Sequence, residues 1–239
     1  MENQQQVSSL QNRFEEGWWQ KLHPFLLSDK FRAIGAELTR QVQMGIPITP
    51  SFDDTFRAFK ECPYKDLKVV FMGLDPYPHK GVCDGLAFSN RYHPLQDPKS
   101  LMYILDAMEK DVYGGFGIGF NEEYRNPDLG RWAKQGVLLI NTALSTQVGK
   151  TGAHLQLWTP FIQYLFQTLS FYNTGLIYVL FGSQAKLWKA AIPKGQNYVF
   201  TVVHPAAMAY QKAKEWDCEG IFSKINHILE KNNNSKILW

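Results

Sequence analysis

An α/β fold built on a parallel sheet is predicted by three features of this chain. Four short apolar runs, at residues 69–72, 136–144, 175–181 and 197–203, read as strands, the first as a buried one and the second as buried on both faces. Stretches with helical spacing of apolar residues separate them, and strands alternating with helices give a parallel sheet with right-handed crossovers. Each run also ends in residues able to do chemistry: Asp75, Asn141, Gly182-Ser183 and His204. In open α/β sheets, ligands bind just beyond the C-terminal ends of the strands, so all four ends line one crevice.

The 239 residues, 45% hydrophobic and 14% aromatic, can bury one sizeable core. One domain is expected over 14–231, between a polar tail at 1–13 and a second tail at 232–239. A net charge of +3 permits contact with a polyanion without demanding it. Cys62, Cys83 and Cys218 are odd in number and lack any C-x-x-C or Cys/His ligand spacing. They support neither a disulfide framework nor a zinc site, and they favour a reducing, intracellular (cytoplasmic) setting. The glutamine-rich start lacks the basic and apolar regions of a signal peptide, and no apolar run reaches membrane-spanning length, so no membrane contact is expected.

Residues 1–12 read as frayed or weakly helical. Aromatic and leucine residues from Phe14 to Leu27 recur at helical spacing, with Trp18 and Trp19 as core. A second helix, 29–44, carries Phe31, Ile34, Leu38 and Val42 on one face. The stretch 45–50 ends it, and Ser51 or Asp53 can cap the next helix, which carries Phe52, Phe56 and Phe59. After the first strand, Asp75-Pro76-Tyr77-Pro78 forms a stiff loop presenting one carboxylate, because two prolines fix φ. Gly81, Gly85 and Ala87 let backbone approach a ligand, and Phe88 offers a flat apolar face. These residues make a pocket for a planar, uncharged ring.

Ser100 opens a helix over 101–112 with Leu101, Ile104, Leu105 and Met108 as its buried stripe, and reads as an N-cap. The glycine-rich piece 114–119 follows no strand and lacks dinucleotide-loop spacing. Asn126-Pro127 starts a short helix. Asn141 ends the second strand and offers one donor and one acceptor, whereas His154 reads as a surface or capping residue. Helices follow at 158–171, 184–191 and 215–231. The Gly182-Ser183 step between strand and helix has a phosphate-binding shape. His204 opens a loop with Pro205, Ala206, Ala207 and Met208, followed by Lys212 and Lys214.

Taken together, these motifs resemble family-1 uracil-DNA glycosylases. Gly73-Leu74-Asp75-Pro76-Tyr77-Pro78 is similar to the family's G-Q-D-P-Y-H, and Gly85-Leu86-Ala87-Phe88-Ser89 to its G-L-A-F-S. Leu139-Ile140-Asn141-Thr142 resembles L-L-N-T, and the run from His204 resembles H-P-S-P-L-S. The resemblance spans about 14–231. It implies a three-layer α/β/α fold with a central four-stranded parallel sheet.

It also implies hydrolysis of the N-glycosidic bond of deoxyuridine in DNA by base flipping, with no metal or cofactor. Asp75 and His204 are the implied catalytic pair, and Leu74, Tyr77, Phe88 and Asn141 the implied uracil-binding residues. Ser100, Ser183, Pro205, Ala206, Met208 and Lys212 are implied on the DNA, with Met208 as the wedge that enters the duplex. The implied partners of this expected monomer are uracil-containing DNA, single- or double-stranded, and a proteinaceous DNA-mimic inhibitor. Leu74 replaces the usual Gln, Pro78 the usual His, and Ala206-Ala207 the usual Ser-Pro, while His79 is placed to stand in for the missing histidine. Those departures leave two alternatives: a glycosylase for another modified pyrimidine, or a DNA-binding replication accessory with little chemistry.

Overall fold

The computed structural model describes residues 2–92, 98–115, 122–211 and 214–239. The chain opens with α1 (Glu2–Gln11), α2 (Glu16–Leu26), α3 (Asp29–Gln43), β1 (Ile48–Thr49) and α4 (Arg57–Glu61). Then follow β2 (Val69–Gly73), α5 (Lys99–Tyr113), α6 (Gly130–Ala133), β3 (Val137–Asn141), β4 (Thr146–Gln147) and α7 (Leu155–Tyr172). The last elements are β5 (Ile177–Phe181), α8 (Gly182–Lys186), β6 (Tyr198–Val202), α9 (Ala206–Gln211) and α10 (Ile221–Lys231).

Strands β2, β3, β5 and β6 form one parallel sheet in the order β3-β2-β5-β6, as expected, and β1 pairs with β4 in a separate antiparallel ribbon. The chain first adds β3 on one side of β2, then crosses back to place β5 on the other. The order therefore reverses between β2 and β5, and the crevice beyond their C-terminal ends is the favoured ligand site of such a sheet.

Every residue of β2, β3 and β5 is buried, which their continuous apolar runs dictate. Alternation along the strands sends Tyr178 to the face covered by α7, where its ring stacks on Phe166 with centroids 5.9 Å apart. It sends Phe71 and Phe181 to the opposite face, against Phe222 of α10 and Trp216. Beneath α7, Phe25, Phe56 and Phe59 surround Phe161 and Trp158, tying α2 and α4 to that layer. The sheet is thus sandwiched between two helical layers.

Several expectations are corrected by long-range packing. Residues 2–11 form a regular helix, in line with the weakly helical reading of this polar tail. The stretch after Lys231 fails to behave as a tail: Ile237 and Trp239 are buried, and the Trp239 indole stacks on Phe71 at 5.7 Å and meets Trp132 edge-on. Helix α10 begins at Ile221 rather than near Glu215, because Asp111 of α5 caps it from a distance, accepting from the N–H groups of Phe222 and Ser223. Val42 and Phe52 are exposed rather than on buried faces. Ser100 is buried inside the first turn of α5 and does not cap it; Pro98 holds the cap position. Asn126 makes a turn by accepting from the Asp128 N–H, and the helix it was expected to start begins at Gly130. Residues 116–119 of the glycine-rich piece lie outside the described residues.

Candidate active site

The C-terminal ends of the strands carry the site. The first peptide planes beyond β2 are fixed by β3: the Gly73 carbonyl accepts from the Thr142 N–H at 3.1 Å and the Leu74 carbonyl from the Ala143 N–H at 3.2 Å. The Thr142 hydroxyl donates to the same Leu74 carbonyl. Gly73 is required by crowding. A Cβ there would lie 2.4 Å from Asn141 Oδ1 and 3.2 Å from the Phe88 ring, so the amide and the ring close over the same backbone point.

Asp75 follows, half-buried, its Oδ2 accepting the Gly152 N–H. Burial raises its carboxyl above the ordinary 3.8, opposed by the hydrogen bonds from Gly152 and Thr146. The Gly152 loop is held by a buried network that the sequence does not announce. His154, expected at the surface or as a cap, holds the N-cap position of α7 but is 1% exposed: its Nδ1 lies 2.9 Å from the Ser145 hydroxyl and its Nε2 3.0 Å from Gln41 Oε1. Ser145 in turn accepts from the Trp158 indole at 2.8 Å. With both ring nitrogens inside, burial lowers the His154 pKa.

Tyr77 reaches back to the Phe88 carbonyl at 2.9 Å. Phe88 sits at φ +68°, a left-handed conformation costly for an aromatic residue, and its ring meets Phe181 at 4.7 Å and His204 at 5.6 Å. The segment around it is organised by Asp84, fully buried, which accepts from the Leu86 and Arg91 N–H groups and the Ser89 hydroxyl and pairs with Arg57 at 2.7 Å. Asp84 and Arg57 were not anticipated as site residues. The Asp before Gly85 is a turn signal that could have marked the first, whereas nothing local marks Arg57.

His204 follows β6, the edge strand on the side away from β3. Gly182, at φ +82°, admits it: a Cβ at Gly182 would lie 2.9 Å from His204 Cβ. The Ala206 N–H donates to Nδ1 at 3.1 Å, so Nδ1 carries the lone pair and the proton rests on Nε2. Burial lowers the His204 pKa to about 4, leaving a neutral ring with one fixed donor. The loop expected after His204 is partly helical, since α9 starts at Ala206 behind a buried Pro205.

Leu74, Tyr77, Phe88, Asn141 and His204 thus gather around the β2–β5 crevice with Asp75 at its rim. Met208 lies on α9, partly buried against the core. Ser183 is exposed in the first turn of α8, and His79 is exposed in the turn after Pro78. Ser100 lies on α5, which packs against α9, and no described contact joins it to the crevice residues. Lys212 lies outside the described residues. No group of three or more His, Cys, Asp or Glu side chains among the described residues is arranged to hold a metal ion.

An acid, an amide, an aromatic face and a neutral histidine at a sheet edge are the parts of a pocket for a planar ring. Comparison with known proteins gives this pocket its class. Residues 59–230 match the family described as the uracil DNA glycosylase superfamily, and the chain belongs to it. Uracil-DNA glycosylase of Acinetobacter baumannii (strain AYE) is 30% identical over 237 residues, covering 99% of this chain and 96% of the relative. Uracil-DNA glycosylase 1 of Listeria innocua serovar 6a is 33% identical over 193 residues, covering 80% and 83% respectively. A crystal structure of mimivirus UNG Y322L in complex with UGI superposes with a TM-score of 0.83 at 23% identity, over 96% of this chain and 90% of that one.

Proposed function

We propose that this protein hydrolyses the N-glycosidic bond of deoxyuridine in DNA, releasing uracil and leaving an abasic site. The observation that carries the reading is the convergence of Asp75, Phe88, Asn141 and a neutral, Nε2-protonated His204 on one crevice. The flipped uracil stacks on Phe88, while the Asn141 amide offers an acceptor to N3–H and a donor to O4. Tyr77 occupies the space that a thymine methyl would need.

As the C1′–N1 bond breaks, its electron pair passes to uracil, whose O2 gains negative charge, and the sugar becomes cationic. His204 Nε2–H donates to that oxygen, with the backbone N–H groups of Leu74 and Asp75. The Asp75 carboxylate stabilises the sugar cation and takes the proton of the water that adds to C1′. Ser100, Ser183, Pro205, Ala206 and Lys212 are proposed on the DNA backbone, as the motif resemblance implies. A DNA-mimic protein is the proposed inhibitor, supported by the mimivirus relative solved with UGI. A monomer working in a reducing, intracellular setting fits the three free, buried cysteines.

The test is incubation with single-stranded DNA carrying one uracil, followed by alkaline cleavage of abasic sites and detection of free base. Uracil release with cleavage at that position is expected, and none from the thymine control. Intact uracil-containing DNA after prolonged incubation at equimolar enzyme would overturn the proposal. Asn141→Asp serves as a specificity control: a protonated carboxyl complements the cytosine edge, so uracil release weakens and some cytosine release appears.

A further inference from the structure

We propose that Thr142 is a positioning residue for leaving-group stabilisation, holding the Leu74–Asp75 peptide so that two successive backbone N–H groups face the crevice. This rests on the glycosylase reading above. The argument starts from the regularity of a parallel strand, in which a residue turns both its N–H and its C=O toward the same neighbour and the next residue turns both the other way. At the start of β2 the Val69 N–H goes to Gly136 on the β3 side, and the carbonyl of Lys68, whose own N–H still bends to Gly136 just before the strand begins, accepts from Ile177 of β5. Odd-numbered residues therefore face β3 and even-numbered residues face β5. Gly73 obeys, its carbonyl accepting from Thr142.

Leu74 breaks the rule. By alternation its carbonyl belongs on the β5 side, over the crevice. It is instead turned back toward β3, where the Ala143 N–H and the Thr142 hydroxyl both donate to it. A trans peptide holds C=O and N–H antiparallel, and the cis bond among the described residues lies elsewhere, at Thr49-Pro50. The Asp75 N–H is therefore turned toward β5. The Leu74 N–H already faces that way, because the Gly73 carbonyl of the same peptide faces β3.

Two consecutive N–H groups thus point at the wall formed by Phe181, Gly182 and His204, the direction from which His204 Nε2–H also comes. Consecutive N–H groups converging on one point form a concave anion site. Thr142 is 4% exposed, so its hydroxyl has little access to water as a competing acceptor. Without that hydroxyl a single donor, the Ala143 N–H, would resist the return of the Leu74 carbonyl to its regular direction, where its negative end would oppose the departing base.

The experiment compares single-turnover release of uracil and of 5-fluorouracil from single-stranded DNA by wild type, Thr142→Val and Thr142→Ser. Fluorine lowers the pKa of the departing base, so its release needs less oxyanion stabilisation. Thr142→Val is expected to slow uracil release by at least ~10-fold, a fraction of the loss on removing a whole oxyanion donor. The slowing of 5-fluorouracil release should be clearly smaller, and Thr142→Ser should restore both rates. Equal slowing on the two bases, no slowing, or failure of serine to rescue would overturn the assignment.

A readout on the wild type guards against misfolding of the valine variant. Titration with free uracil at a pH where the bound base is anionic should move the Asp75 amide proton downfield; an unmoved amide in the saturated complex overturns the inference as well. A wild type that releases neither base overturns the glycosylase reading itself and this inference with it. Active wild type with an indifferent Thr142→Val overturns the inference alone.

Discussion

The Tyr77 hydroxyl donates to the carbonyl of Phe88 across 2.9 Å, and that carbonyl belongs to a residue held at φ +68°. One side chain proposed to contact the base thus fixes the backbone of another. The ring of Tyr77 and its hydroxyl have separable tasks, the first to fill space and the second to hold Phe88 in a conformation that it would otherwise leave.

Tyr77→Phe should therefore keep thymine excluded while lowering stability by about 1 kcal/mol, the net worth of one hydrogen bond, as read by urea unfolding. Tyr77→Ala should lose both tasks and gain measurable thymine release. Thymine release by the Phe variant, or its absence in a folded Ala variant, would assign methyl exclusion to another residue.

The pH profile of the chemical step should show one acid limb. Asp75 is the proposed carboxylate, and burial places its pKa above 3.8, so activity should rise with pH through its ionisation above that value. His204 is neutral down to about 4, so no second inflection belongs near 6.5. Asp75→Asn should abolish the limb and slow release by at least ~100-fold, with uracil-DNA binding largely kept. The same histidine has a stability signature. Between pH 6.5 and about 4 the unfolded chain binds the proton that the folded chain refuses, so the native state weakens as pH falls across that window. His204→Gln should reduce that slope in urea midpoints measured across it, leaving the part due to buried His154, and an unchanged slope would place His204 in contact with solvent.

Met208 is partly buried on α9, a position consistent with a wedge but also with packing against the core. Flipping from a duplex costs a few kcal/mol of unpairing that a single strand does not incur. As a wedge, Met208→Ala should lower activity on duplex uracil far more than on single strands. Its stability loss should stay at about 1 kcal/mol or less, below the range for fully buried methionines. Equal losses on both substrates with a larger drop in Tm would make Met208 a core residue only.

Trp239→Ala should cost roughly 3–5 kcal/mol, the range for emptying a buried aromatic site. Its indole stacks on Phe71, meets Trp132 and Phe222 edge-on, and donates to the Phe222 carbonyl at 3.2 Å. Chemical denaturation checks this directly. A loss below 1 kcal/mol would mean that Trp239 contributes little to the packing of this layer.

What could be read from the sequence was local. Strands β2, β3 and β5 announced themselves because burial on both faces needs unbroken apolar runs, and α5 because its stripe Leu101, Ile104, Leu105, Met108 repeats at helical spacing. Asp75, Asn141 and His204 were legible as polar residues that interrupt such runs at their ends. What escaped was decided across distance. The polar stretch before Ile237 hides a buried tryptophan, Asp111 starts α10 from another helix, and the sign of φ at Phe88 has no local marker. His154 looked like a loop residue because its partners, Gln41 and Ser145, come from α3 and from the approach to β4.

Asp75 follows and Asn141 ends a strand sealed on every residue, but His204 follows β6, where only Val202 is buried and Tyr198 is 38% exposed. The working parts of the crevice therefore belong to cooperative units of unequal strength. A sheet can shed an outer strand below the denaturant concentration that melts its centre. Amide exchange along β6 should run ahead of exchange along β2, held back chiefly by tethers such as the Trp216 indole on the Val203 carbonyl at 2.8 Å. The protein would then keep Asn141, Phe88 and the Leu74–Asp75 peptide in place while the His204 donor came loose, so heat would silence it as a catalyst before it ceased to be a folded protein.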